Sequence, residues 1–123
     1  MQPKKTIVVV ATWQQWVKAK RARLYLHSTI DKRLQEVGFI HCTFPHQTME
    51  IVSRRNDKQE DLVLLLIDPD KVKAEVKYEP AFSGRPGTFP HIYGPLNTDA
   101  VYKVVELRKD ATGMYVQPAD LPV

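Results

Sequence analysis

From Thr6 to Thr12 the chain reads "TIVVVAT", a continuous stretch, β-branched but for Ala11, that predicts a strand buried on both faces. Thr12 stands where a helix N-cap belongs. Trp13, Trp16 and Val17 follow at i, i+3 and i+4, one apolar stripe of a helix whose other positions hold Lys18, Lys20, Arg21 and Arg23. A second helix is expected through "IDKRLQEV", capped by Ser28 or Thr29 and stopped by Gly38 in the left-handed conformation. "FIHCT" then reads as a strand. Pro45 suits the first turn of a helix "PHQTMEIVSRR" with Thr43 as its cap. "DLVLLLID" is the strongest strand pattern in the chain, that of a buried central strand. "PDKVK" makes a turn, and "AEVKYE" is a strand that ends at Pro80. A loop of Pro, Gly and Ser leads into "HIYG". The last strand alternates Val101, Lys103 and Val105 against Tyr102, Val104 and Glu106. The tail from Gly113 carries two prolines and is expected to be a loose extension.

Strand, helices, then mostly strands is the order of an α+β domain with a mixed or antiparallel sheet and helices packed to one side. A doubly wound parallel sheet needs helices between most strands, and the pattern lacks them. The 123 residues suit one domain, 1–123, without repeats or linkers. Leu62 to Ile67 is the longest apolar run, about a third of a membrane span, so no transmembrane helix is expected. A single cysteine, Cys42, closes no internal disulfide and fits a reducing, cytoplasmic setting. The net charge of +4 makes polyanions plausible company, and "KAKRAR", "SRR" and Lys58 offer a basic rim. A solvated helix face explains "KAKRAR" as well.

Chemistry concentrates at strand ends. A period of two puts Phe39, His41 and Thr43 on one face of "GFIHCT", with Ile40 and Cys42 on the other, where Cys42 reads as small core filling. His91 and Tyr93 share a face of a short strand bracketed by Pro90 and Pro95. Gly94 next to them allows a positive φ or a close approach. Glu79, just before Pro80, places a carboxylate at a strand terminus, where it can orient a hydroxyl. His41, His46 and His91 match no metal-ligand spacing, so no metal site is expected. The glycine-rich phosphate loops and the hydrolase elbow are missing.

"GFIHCT", "DLVLLLID", "VKYE" and "FPHIYGPL", in this order, resemble the family called domain of unknown function 952, over about residues 7–107. That family is grouped with the ADP-ribosyltransferase-like fold, which includes RNA 2'-phosphotransferases. The resemblance implies a split, bent sheet and a cleft where active relatives hold NAD. Its characteristic residues fall on Gly38, Phe39, His41, Glu79, Pro90, His91, Tyr93 and Gly94. The opening strand carries no ribose-binding His or Arg, so no cofactor is required and NAD remains a candidate. Two functions follow. In the first, a nucleotide-binding transferase uses His41, Glu79 and His91 as catalytic groups and Tyr93, Gly94, Phe39 and Thr43 to hold a nucleotide or phosphorylated ribose. The alternative is a non-catalytic nucleotide-sensing or protein/RNA interaction module, with nucleic acid docking on the basic helix. A third reading makes the histidines structural, paired by hydrogen bonds inside the core.

Overall fold

A computed structural model of the chain describes residues 5–56, 58, 60–81 and 84–122. Phe82 and Ser83 of the expected loop, and Val123 of the tail, lie outside the described residues. The strands are β1 (Ile7–Thr12), β2 (Leu24–Tyr25), β3 (His27–Thr29), β4 (Lys32–Arg33), β5 (Ile40–His41), β6 (Leu62–Ile67), β7 (Glu75–Pro80), β8 (Thr88–Tyr93), β9 (Leu96–Asn97), β10 (Val101–Glu106), β11 (Arg108–Lys109) and β12 (Tyr115–Val116). The helices are α1 (Trp13–Ala22), α2 (Leu34–Val37) and α3 (Pro45–Ser53). Every strand pairing among the described residues is antiparallel. No helix among them is long and apolar enough to cross a membrane.

Two three-stranded sheets, in the orders β1-β6-β10 and β5-β8-β7, carry the architecture. Among the described residues one backbone bridge joins them. Thr43, just beyond β5, exchanges both backbone hydrogen bonds with Val8 of β1, at 2.8 and 2.9 Å. The six strands therefore read as one sheet split at Thr43, in the order β10-β6-β1, then β5-β8-β7.

All six residues of β6 are buried, and so are Ile7, Val8 and Val9. A strand apolar at every position must be covered on both faces, and here it is. Val9, Ala11, Val63 and Leu65 pack with Trp16 and Ala19 of α1 and with Ile40, Cys42 and Ile92 of the second sheet. Val8, Leu64 and Leu66 face the other way, onto Val52 and Met49 of α3 and Leu121 of the tail. The helices thus lie on opposite faces of the first sheet, not on one side as the element order suggests.

The first helix begins as its sequence dictates. Thr12 Oγ1 accepts from the Gln15 N–H at 3.1 Å, and the Gln15 side chain accepts from the Thr12 N–H at 3.1 Å. Trp13 departs from the apolar stripe and is 42% exposed. The second helix is much shorter than expected. Ser28 and Thr29 belong to β3, which turns back through Ile30 and Asp31 to pair with β4, so only Leu34–Val37 remains helical. Gly38 stops it at φ 100°, as read. Pro45 opens α3, but Phe44 is its N-cap residue. The Gln47 side chain accepts from the Phe44 N–H at 2.9 Å, because Thr43 is committed to the bridge with β1. The tail is not loose: β12 pairs with β11, and Leu121 is 3% exposed against the core.

Candidate functional site

Cross-strand partners point to the same face. Val8 pairs with Thr43, His41 with His91, and Lys77 with His91. The period of two then adds Phe39 beside His41, and Phe89 and Tyr93 on either side of His91. One continuous face results, running from β1 across the split onto the second sheet. On the reverse face Ile40, Cys42 and Ile92 enter the core.

His91 is buried at 2% exposure, whereas His41 is exposed. Their ring centroids are 5.5 Å apart in an edge-on arrangement. Phe39 lies against both rings, at 4.6 Å from His41 and 4.4 Å from His91. Each imidazole has a polar group at Nδ1. Ser28 Oγ, from β3, is 3.0 Å from His41 Nδ1. Glu79 Oε1, from β7, is 2.9 Å from His91 Nδ1 and also accepts from the Tyr93 hydroxyl at 2.6 Å. A carboxylate accepts only, so His91 Nδ1 carries a proton, and in the neutral ring Nε2 holds the lone pair.

The electrostatics follow from these contacts. The Tyr93 hydroxyl, then His91, hold the Glu79 carboxyl below the usual carboxylate range, and the same carboxylate pushes the Tyr93 hydroxyl up. His41 is pulled below the ordinary histidine value by partial removal of its ring from water, then by the charge of His91. Its contact with Ser28 opposes both. Burial pushes the Cys42 thiol far up, so it is no nucleophile.

His41 and His91 line a cleft of about 340 Å³ at the seam between the sheets. Its floor is apolar (Val8, Val10, Ile30, Ile51 and Phe89), and Ser28, Thr29 and Thr43 add hydroxyl groups. Arg54 and Arg55, at the end of α3, and Arg85, before β8, complete the wall. Of the seven residues singled out in the sequence, His41, His91 and Thr43 line this cleft. The Thr43 hydroxyl is taken by Thr48 Oγ1 at 2.8 Å.

Glu79, Tyr93 and Phe39 stand behind the histidines, outside the lining. Tyr93 has the Lys77 ammonium 4.6 Å from its ring centroid and Phe39 at 5.2 Å. Gly94 lies away from the cleft, where a Cβ would come within 2.9 Å of Ala74 Cβ. Its close approach is to the core. His46 stacks on Phe44 with centroids 6.0 Å apart. Among the described residues no group of three His, Cys, Asp or Glu is placed to hold a metal ion.

Sequence reasoning missed Ser28, read as a helix cap, and Arg85. Arg85 had one signal: it is the only charged residue between Pro80 and His91.

No curated protein matches this chain. Solved structures do. The crystal structure of protein CC0527 from Caulobacter crescentus is 26% identical, with a TM-score of 0.67 over 90% of this chain and 93% of that one. Its solution NMR structure is 28% identical, with a TM-score of 0.71 over 89% and 90%. A family model matches residues 10–104, through both histidine strands, and the chain belongs to the family described as Protein of unknown function (DUF952).

Proposed function

We propose that the cleft binds a nucleotide or phosphorylated ribose, with the phosphate at the arginine wall and the apolar part of the ligand over Val8, Val10, Ile30 and Phe89. One observation carries this reading. A cross-strand histidine pair and three arginines converge on a single apolar-floored cleft, the combination of shape and polar groups that marks small-ligand sites. His41 and His91 line the cleft where they can hydrogen-bond a ribose hydroxyl or phosphate oxygen of the ligand, or move a proton at that atom. Glu79 and Tyr93 act through His91, holding its tautomer and its ring.

NAD is a poorer match to these residues. Tyr93, the ring that would stack on nicotinamide, has Lys77 and Phe39 against it and its hydroxyl held by Glu79, and it lies outside the lining. The burial of His91 supports a second reading, a nucleotide-sensing module that binds without turnover. The exposed Lys18, Lys20 and Arg21 of α1, and Arg23 just past its end, stand outside this cleft, so nucleic acid docking there would be a separate event.

Binding of ADP-ribose and of a 2'-phosphorylated oligonucleotide to wild type and His91→Gln tests the proposal. Saturable binding by wild type supports the site. Product formation that H91Q loses while still binding identifies an enzyme; lost affinity with no product under any condition identifies a sensor. No binding of either compound overturns the assignment.

A further inference from the structure

The three arginines of the cleft are not equivalent. Arg55 is committed to the frame. Its Nε and Nη2 donate to the two carboxylate oxygens of Glu60 at 2.7 and 2.5 Å, and its Nη1 donates to Asp31 at 3.1 Å. Arg54 is exposed, and its side chain has no ion-pair partner among the described residues. Arg85 lies between these extremes. Its side chain is 14% exposed and, among the described residues, makes one carboxylate contact, Nη1 to Glu50 Oε1 at 2.9 Å. Glu50 is 67% exposed.

That asymmetry has a chemical meaning. A sheltered guanidinium needs a counter-ion, because a desolvated charge without one is costly. Its fork matches two oxygens of one anion, yet Glu50 satisfies it at a single point from the solvent side. A carboxylate so far out in water regains full hydration on release. A phosphate monoester brings about −1.5 to −2 charges and three acceptor oxygens, and so outcompetes a singly charged, one-point partner.

We infer that Glu50 is an internal competitor for Arg85: the phosphate of the ligand takes over the guanidinium contact that Glu50 makes here, and Arg54 adds a further positive charge to the same group. This deepens the proposed function, on which it rests, by naming the ligand class as a ribose phosphomonoester and Arg85 as the residue that selects it. Glu50 then sets a threshold. Weakly charged ligands fail to displace it, and dianionic phosphates succeed.

The test is calorimetric titration with adenosine 5'-monophosphate, and with adenosine as the uncharged control, at 0.15 M salt. Wild type, Glu50→Gln, Glu50→Ala and Arg85→Gln are compared. A surface ion pair of this kind predicts that E50Q and E50A bind the monophosphate about two- to five-fold more tightly than wild type. R85Q should bind at least about tenfold more weakly, and adenosine should be indifferent to all three changes. Tighter binding after a salt bridge is lost cannot come from damage to the fold. Binding by wild type that E50Q and E50A leave unchanged or weaken overturns the competitor while leaving the cleft assignment intact. No binding by any of the four proteins overturns both.

Discussion

His41 and His91 are direct partners across β5 and β8, with ring centroids 5.5 Å apart, one exposed and the other buried. The two strands come from distant parts of the chain. Their register therefore decides whether a paired site exists at all, because a one-residue slip would send one ring into the core. The Cys42 N–H extends that pairing to the Pro90 carbonyl at 3.1 Å, and Thr43, two residues beyond His41, ties the same segment to Val8 of β1.

The pair makes binding pH-dependent. His41 sits below its ordinary value of 6.5, through partial burial and the charge of His91. An anion beside it raises that value again, so binding takes up a proton. The affinity for ADP-ribose should rise about three- to ten-fold as pH falls from about 7.5 to about 5.5. His41→Gln should flatten the slope. Calorimetry in buffers of different ionisation enthalpy measures the proton uptake. For stability, the depressed value means that the contribution of His41 is whole above about pH 6.5 and is lost as pH falls through its folded value.

Glu79 governs the acid side. Its folded value lies below the ordinary 4.5, held there by Tyr93 and then His91. A depressed carboxylate contributes stability that is present in full above about pH 4.5 and is lost as pH falls through the folded value. Glu79→Gln should therefore melt lower than wild type at pH 7, with the gap closing as pH falls below about 4. Tyr93→Phe should produce a smaller change in the same direction. Thermal melts from pH 2 to pH 7 give the comparison.

Gly94 is a packing position. At φ 153°, a Cβ would stand 2.9 Å from Ala74 Cβ. Gly94→Ala should cost about 1–3 kcal/mol, and ligand binding by the folded fraction should be unchanged. Denaturant unfolding and the titration above separate the two effects. A loss of affinity without a loss of stability would instead assign Gly94 to ligand binding.

Leu121 anchors the tail. It is 3% exposed and shares a cluster with Val8, Leu64 and Leu66. Leu121→Ala should cost about 2 kcal/mol or more, read as a lower denaturation midpoint. A loose tail would show no change.

Much of this fold is legible in the sequence where a pattern is local. The β-branched run of β1, the apolar run of β6, the Thr12 cap, Pro45 and Gly38 all act through neighbours within a turn or two. The histidines could be placed on faces for the same reason. What the sequence hides is set by tertiary partners. The β3–β4 hairpin takes Ser28 and Thr29 away from the helix they would cap, and Thr43 serves β1 instead of α3. Tyr93 carries the aromatic signature of a stacking residue, but Glu79 and Lys77, whose roles depend on the β7–β8 register, have claimed it. Arg85 hides because an isolated arginine in a loop gains meaning only from the cleft it borders.

The most direct test of the central claim is an NMR titration of the labelled protein with ADP-ribose and, in parallel, with adenosine 5'-monophosphate, following the imidazole resonances of His41 and His91 beside the backbone amides. The cleft assignment predicts saturable shifts of both rings together with Ser28, Arg54 and Arg85, and weaker, indirect shifts at Tyr93. Shifts confined to residues 18–23 that vanish with added salt, or no shift of either ring at saturating ligand, would contradict it.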